Sequence, residues 1–440
     1  MMRSGAVSLR LVPAMTLSLA LLLPTLCPAT ALELWSDAMG SRKVSLRGSL
    51  KWTNLLSHAP RDTILYPQRW STASLFRGRL GLEVRPAGWL RAEVAYEHRA
   101  RMVSEQSGAG GGAAILPPEV PAPYRLAPAD ESLLEIGGTF EYRHELDRCR
   151  LTARAGAADV TVGRQAVGWG RGVLFSAVDI FAPFTPLESD REWRRGIDAV
   201  RGQWAVSHRL AVEMIAALGD AMKSSAFIGR VHGRLGDLEA ALLAGRRRED
   251  DFYGLSFSSP VWNAEVHGEL AFFRTPEAIA GGGAFATDDL AVKTVTGASY
   301  SFELPFGLPA DLPAGVMLLG EYHYSGFGLP DLEALDRWRG ESDFTTRLSL
   351  GDSQILGRHA GAVQLTYGFA TMTPVSLSWV FSPGDASGVV VPALTWVASD
   401  QVTLSANGYL PYGEAPVEGA PRSEYGGTPT SGLVQIGFYF

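Results

Sequence analysis

The sequence predicts an all-β protein, a single antiparallel transmembrane β-barrel of about eighteen strands with sixteen as the alternative, long external loops and short periplasmic turns. Three observations predict it. Apolar and polar residues alternate with a period of two over most of the chain, short and long connections alternate between those segments, and the last segment ends on an aromatic residue, Phe440.

Composition excludes several classes before any motif is read. Of 440 residues, 46% are hydrophobic and only 19% charged, too apolar a mixture for a disordered chain. The formal charge of -7 opposes a nucleic-acid binder, which must neutralise many phosphates. Only four of the 39 basic residues are Lys (Lys43, Lys51, Lys223 and Lys293), the rest being Arg. Cys27 and Cys149 are too few for a disulfide framework or a cysteine metal site. A soluble chain of this length would divide into about three domains. Here the two-residue period runs on, with few helix-period segments and little sequence left for a second layer.

Residues 1–31 read as an export signal. Arg3 and Arg10 flank a positive start, residues 11–26 are apolar, and Ala29-Thr30-Ala31 is a small-x-small cleavage site. Pro13 and Pro24 break the apolar stretch, which is short for a bilayer span. Cleavage leaves 32–440 as one barrel domain with Cys149 as its lone thiol.

The alternation begins at Lys43. Val44, Leu46, Gly48, Leu50 and Trp52 form one face, and Lys43, Ser45, Arg47, Ser49, Lys51 and Thr53 the other. Phe76, Gly78, Leu80, Leu82 and Val84 then oppose Arg77, Arg79, Gly81 and Glu83; Leu90, Ala92, Val94 and Tyr96 oppose Arg91, Glu93, Glu97 and Arg99. Later, Ala264, Val266, Gly268, Leu270 and Phe272 alternate with Asn263, Glu265, His267 and Glu269. The predicted segments lie near 43–53, 74–84, 89–99, 132–144, 149–163, 197–206, 209–219, 226–235, 238–246, 252–259, 262–273, 291–303, 315–327, 357–370, 374–382, 388–398, 401–411 and 431–440. Every second connection is short, at 85–88, 146–148, 207–208, 236–237, 371–373 and 399–400, with 307–314 a longer, Pro-bearing one on the same side. Those between include 54–73, 100–131, 164–196, 274–290, 328–356 and 412–430. Strands of about ten tilted residues match the hydrocarbon thickness. Closing the sheet pairs every backbone N–H and C=O internally, as lipid demands.

Val434, Ile436, Phe438 and Phe440 close the chain in alternation with Gln435, Gly437 and Tyr439. This resembles the C-terminal strand of bacterial outer-membrane barrel proteins, which implies that Phe438 and Phe440 are an assembly signal read by the barrel assembly machinery. The densest run of unusual residues is Gly163-Arg164-Gln165, then Gly168-Trp169-Gly170-Arg171-Gly172, Asp179-Ile180-Phe181, Pro183-Phe184, Asp190-Arg191-Glu192 and Gly196-Ile197-Asp198-Ala199-Val200-Arg201. Over these forty or so residues the chain resembles the porins and exporters related to the alginate-export family, where a strand ending in Gly-Arg-Gln leads through a loop to a strand opening on an Asp-Ala-Val-Arg run. The match does not carry alginate over as the substrate.

Segment 164–196 is expected to fold into the lumen as a constriction, with Arg164, Arg171, Asp190, Arg191, Glu192, Arg194 and Arg201 shaping its charge. The competing reading is that these residues brace the wall through ion pairs and select nothing. Arg77, Arg79, Arg91, Arg99 and Arg154 form a cationic lumen wall, within a first five strands that carry ten inward cations (with Lys43, Arg47, Lys51, Arg143 and Arg150) against Glu83, Glu93, Glu97, Glu135 and Glu141. Around Glu265, Glu269 and Glu321 the balance reverses, which would set a field across a water-filled pore.

His58, His98, His144, His208, His232, His267, His323 and His359 are scattered singly, with no metal spacing, and no haem or phosphate-loop motif is present. No cofactor or metal is expected. The glycine runs at 110–112 and 281–283 read as loop tips. Together these readings imply a porin-like channel, not an enzyme, in the outer membrane of a Gram-negative bacterium. It would pass or export small polar or anionic solutes or saccharides, as a monomer whose partners are outer-membrane lipid and the assembly machinery. The alternatives are a non-conducting scaffold or polysaccharide-export partner, and a barrel hydrolase for which His323 and Ser325 are candidates without a specific motif.

Overall fold

The computed structural model describes residues 31–105, 115–116, 123–126, 132–279, 282–303, 315–332, 346–348, 350–368 and 373–440. Residues 1–30 of the expected export signal, the glycine run at 110–112 and the turn at 307–314 lie outside the described residues. The alternating segments become strands because successive side chains on an extended chain point to opposite faces, so a period of two sorts lipid from lumen. They are β1 (Leu32–Ser36), β2 (Lys43–His58), β3 (Trp70–Ala87), β4 (Leu90–Val103), β5 (Ser132–Ile136), β6 (Phe140–Ala155), β7 (Ala158–Gln165), β8 (Ile197–Ala205), β9 (Leu210–Ala217) and β10 (Ala226–Leu235), followed by β11 (Leu238–Arg247), β12 (Asp250–Val261), β13 (Ala264–Arg274), β14 (Leu290–Glu303), β15 (Gly315–Ser325), β16 (His359–Gly368), β17 (Pro374–Ser382), β18 (Ser387–Ser399), β19 (Val402–Tyr412) and β20 (Thr430–Tyr439).

Eighteen of these form a closed antiparallel barrel in which each strand pairs with its neighbours in the wall. β20 closes onto β2 from Ser49↔Tyr439 to His58↔Thr430. Beyond that ladder, Gly48 and Phe440 exchange two backbone hydrogen bonds of 2.8 and 3.0 Å. β1 extends the same edge of β2 from Leu46 to Lys43, and β5 is a short addition to β6. Leu50, Leu80, Val94, Leu151, Val162 and Leu242 are exposed on the outer face, forming an apolar belt. This is the architecture of the Gram-negative outer membrane.

The strand count agrees with the expectation, but one reversal does not. Residues 146–148 are not a turn. β6 runs through them to Ala155, and the reversal falls at 156–157, where Gly156 takes φ +62°. Between the pairs Ala95↔Arg148 and Tyr96↔Leu146 the register slips, leaving Asp147 as a β-bulge that sends both Asp147 and Arg148 inward. A charged pair in mid-strand imitates a turn in sequence because burial of both charges inside the barrel cannot be read from alternation. The expected segment 132–144 likewise divides, at Gly137 and Gly138 (φ +58° and +66°), into β5 and the start of β6.

The lumen is not uniformly polar and water-filled, as the alternation alone implied. On the external half of the wall the inward row is apolar, with Leu55, Ala73, Leu75, Ile197, Ile215, Ile228, Phe252, Phe273 and Leu433 all buried. Towards the short turns the same rows carry Lys51, Arg77, Arg79, Glu213, Ser256, Ser258 and His267. The inside is therefore a greasy upper collar above a charged lower ring. Val167, Trp169, Phe175, Val178, Ile180 and Phe181, from the segment that follows β7, fill that collar.

Part of the glycine surplus has a packing reason on the outer face. A Cβ on Gly268 would stand 2.6 Å from the ring of Phe257, one on Gly388 would stand 2.6 Å from Tyr412, and one on Gly48 would overlap the Phe440 ring. Each glycine seats an aromatic from the adjacent strand. Gly48→Leu is therefore expected to unseat Phe440 at the closing seam at a cost of about 2 kcal/mol. The heat-modifiable, folded band on cold gel electrophoresis should weaken against the native chain; an unchanged band would show that the Phe440 seat is dispensable.

Candidate functional site

The 31 residues between β7 and β8, 166–196, run across the inside of the barrel, and their polar groups name the wall strands they touch. On one side the backbone is gathered by two inward glutamates. Glu269 of β13 accepts from the N–H of Arg171, Gly172 (2.8 Å), Ala177 (2.6 Å) and Val178 (3.0 Å) and from the Ser176 hydroxyl (2.8 Å). Glu321 of β15 accepts from the N–H of Val173 (2.5 Å), Leu174 (2.8 Å) and Phe175 (3.2 Å) and hydrogen-bonds His267 (2.9 Å). An irregular backbone in a barrel has no ladder partners, so its N–H groups must find acceptors elsewhere. Gly172 is required here, since a Cβ would overlap the Phe175 carbonyl.

On the opposite side the contacts are ion pairs. Asp190 meets Lys51 of β2 at 2.8 Å and Arg77 of β3 at 3.2 Å, and Glu192 meets Lys51 at 2.5 Å and the Tyr439 hydroxyl of β20 at 2.9 Å. The chain of charges continues along the wall. Arg77 pairs with Glu97 (2.8 Å), Glu97 with Arg99, and Arg99 with Glu145 (3.1 Å), which also holds Arg125. Arg79 pairs with the bulged Asp147 (2.8 Å) and stacks 3.9 Å from the Trp193 ring. Arg148 donates to the Arg194 carbonyl (2.5 Å), while Arg194 itself pairs with Asp179 and donates to the Ala182 carbonyl (2.7 Å).

The residues expected at a constriction separate into three groups. Asp190 and Glu192 are brought together on Lys51 of the β2–β6 wall, which Arg194 meets through its backbone carbonyl while its side chain stays with Asp179, Ala182 and Phe184 of the segment. Arg191 serves the segment itself, donating to the carbonyls of Val173, Thr185 and Pro186 at 2.7 to 2.9 Å, and Arg171 reaches Glu239 of β11 at 2.8 Å. Arg164 and Arg201 stand apart. Arg164 shares the outward alternation of the exposed Val160 and Val162 and grips Asp198 at 2.7 and 2.9 Å, stitching β7 to β8 at the rim. Arg201 pairs with Glu213 (2.8 Å), which also accepts the Trp169 indole N–H at 3.0 Å. Of the expected cationic wall, Arg77, Arg79 and Arg99 line the segment, whereas Arg91 lies 3.6 Å from Glu83 and Arg154 2.8 Å from Asp159, near the short turns.

The gathering roles of Glu269 and Glu321 were not legible as such in the sequence. The signal available was the glycine-rich stretch at 168–172, which needs acceptors it does not carry. Among the described residues, three cavities lie along the β2–β6 wall, two of them bordered by the segment. A space of about 30 Å³ is lined by Leu75, Arg77, Arg99, Arg101, Glu141 and Arg143, and one of about 10 Å³ by Arg77, Arg99, Phe184, Glu188, Trp193 and Arg195. A vestibule of about 550 Å³ near the closing seam is lined by Lys43, Arg47, Arg79, Trp193, Tyr439 and Phe440.

No family model matches the chain, and no curated protein matches it; the resemblance to the alginate-export family is not supported by either. Its solved structural neighbours are outer-membrane porins. OccK9 (OpdG) of Pseudomonas aeruginosa superposes with a TM-score of 0.51 at 9% identity, over 92% of this chain and 100% of that one. OccAB3 of Acinetobacter baumannii gives 0.50 at 10% identity, over 90% and 99%. OccD1 (OprD) gives 0.50 at 9% identity, over 90% and 95%. At such identities the likeness is one of fold.

Replacing Glu269 with Ala strands four backbone N–H groups and is expected to cost about 3 kcal/mol. Limited proteolysis should then cut within 166–196, with a lower guanidinium midpoint; unaltered resistance would mean that the apolar packing alone holds the segment. In the external loop 413–429, Glu424 accepts from the N–H of Leu356 (2.8 Å) and Gly357 (2.7 Å). Removal from water pushes the Glu424 carboxyl up to about 7 against the pull of those two donors, and Asp385 adds to the rise. A carboxyl raised in the folded loop favours that loop below its ordinary range and loses the contribution as pH climbs through about 7. The protection factors of the Leu356 and Gly357 amides, corrected for base-catalysed intrinsic exchange, should be lower at about pH 8.5 than at about pH 5.5, and Glu424→Gln should remove that difference.

Proposed function

We propose that this chain is a porin-like outer-membrane channel that carries small polar solutes, anionic ones by preference, past the internal segment 166–196. The observation that carries the reading is the vestibule of about 550 Å³ near the closing seam, where Lys43 and Arg47 form no ion pair among the described residues, whereas Arg77, Arg79 and Arg99 above it are each held by acids. Arginine presents a planar fork of donors suited to carboxylate, phosphate or sulfate. Rings and walls of one charge sign set selectivity in pores. The acids of the far wall do not set up an opposing free charge of equal reach, since Glu269 and Glu321 are occupied by backbone N–H groups of the segment.

A second reading draws on the packed upper collar. Phe175, Val178, Ile180 and Phe181 fill the space that a wide pore would leave open, which favours a narrow channel or a scaffold that does not conduct. An export role like that of the alginate-export family is a further form of the same proposal, without a solute assigned. Hydrolysis has the weakest support: His323 hydrogen-bonds the Thr294 carbonyl at 2.9 Å and stacks on Phe175 at 5.1 Å, while Ser325 contacts Ser353 at 3.2 Å.

Lys43 and Arg47 line the vestibule and form no ion pair among the described residues, so their charge is available to solute and their loss should not unfold the barrel. In planar bilayers the purified chain should conduct with anion preference, and Lys43→Glu combined with Arg47→Glu should lower the anion-to-cation permeability ratio by about twofold or more. A conducting chain with an unmoved reversal potential would sink the charge-selection claim; absence of any conductance would favour the scaffold.

A further inference from the structure

The three cavities beside the β2–β6 wall are not independent. The upper two share Arg77 and Arg99, and the lower two share Trp193. They form one string from the external half to the vestibule, off the barrel axis, because the collar packing occupies the centre. The narrowest member holds about 10 Å³, the room of a single water.

We propose that solute crosses along this string and that the indole of Trp193 is its shutter, standing between an arginine-lined slot and the vestibule and admitting slender anions when the ring turns aside. This rests on the reading of the chain as a channel. The residues on either side of Trp193 are fixed. Glu192 is held by Lys51 and Tyr439, and Arg194 by Asp179 and the Ala182 carbonyl. The ring itself is held differently. One face lies 3.9 Å from the Arg79 guanidinium, and its Nε1, shielded from solvent, has no hydrogen-bond partner. Arg79 cannot follow the ring, since two of its nitrogens bind Asp147 at 2.8 and 3.1 Å. Rotation of the indole therefore breaks one stacking contact and no hydrogen bond, and it joins the slot to the vestibule while the backbone stays in place. An anion arriving from the slot competes with the indole face for the same guanidinium, which couples opening to the charge of the solute.

The test compares the native full-length chain with Trp193→Ala, Trp193→Phe and, as a control on the lipid face, Trp204→Ala, each refolded and checked for heat-modifiable mobility. Single-channel conductance is recorded in potassium chloride and again in potassium gluconate. Trp193→Ala should raise chloride conductance by about twofold or more and raise the gluconate-to-chloride ratio, with Trp193→Phe between it and the native chain and Trp204→Ala unchanged. If the native chain conducts and folded Trp193→Ala conducts identically in both salts, the shutter is overturned and the channel stands. If neither conducts, the channel reading fails and the shutter falls with it.

Discussion

A backbone surrounded by hydrocarbon must satisfy its own hydrogen bonds, and most of this structure follows from that constraint. It requires the β2–β20 seam, since an eighteen-strand sheet left open would expose two edges to lipid. It acts again inside the barrel on a segment that belongs to no ladder. There the N–H groups of Arg171 to Val178, apart from that of Ser176, which donates to the Gln354 side chain, turn to Glu269 and Glu321, two carboxylates projecting from the wall strands β13 and β15. A carboxylate with two oxygens can collect several donors at once, so two side chains suffice to order a loop that a water-filled lumen would leave loose.

The two sides of that segment are held by different physics. Towards β13 and β15 the contacts are charge-assisted hydrogen bonds from backbone, which fix shape. Towards β2, β3 and β20 they are ion pairs in an alternating series through Lys51, Asp190, Arg77, Glu97, Arg99 and Glu145. Buried ion pairs add little net stability, because desolvation consumes most of the attraction, yet removing one member leaves a charge stranded. Such a series specifies one arrangement more than it strengthens it. Between these two anchorages lies the greasy collar, where the rings of Trp169 and Phe181 meet edge to face at 5.0 Å.

Much of the fold was legible because period-two alternation is the direct imprint of a two-faced wall. The outward rows beginning Val44, Leu46 and Gly48 and the inward cations Lys51, Arg77 and Arg79 stand where alternation put them. What alternation could not deliver was the change of character along an inward row. Where both faces are apolar, as at Leu55-Leu56 or at 271–273, the period vanishes and the segment merely looks hydrophobic. The bulge at Asp147 escaped for the opposite reason, since two charges in succession look like a turn. The site was half legible. The charged residues of 164–196 were visible as a cluster, but their partners were not, because pairing Asp190 with Lys51 joins positions 139 residues apart. Arg164 belonged to the motif by sequence and to the rim by geometry.

Glu192 touches Lys51 on the first strand of the wall and Tyr439 on the last, so the internal segment straddles the closing seam. The barrel has no way to complete that contact until both ends of the chain have arrived, and the segment cannot be seated from outside once the collar is packed. The latch of Glu192 on Lys51 and Tyr439 therefore requires the closed β2–β20 seam, so closure and loop docking depend on one another. The seam of a barrel is where the wall is youngest, and here a latch from the middle of the chain fastens it from within.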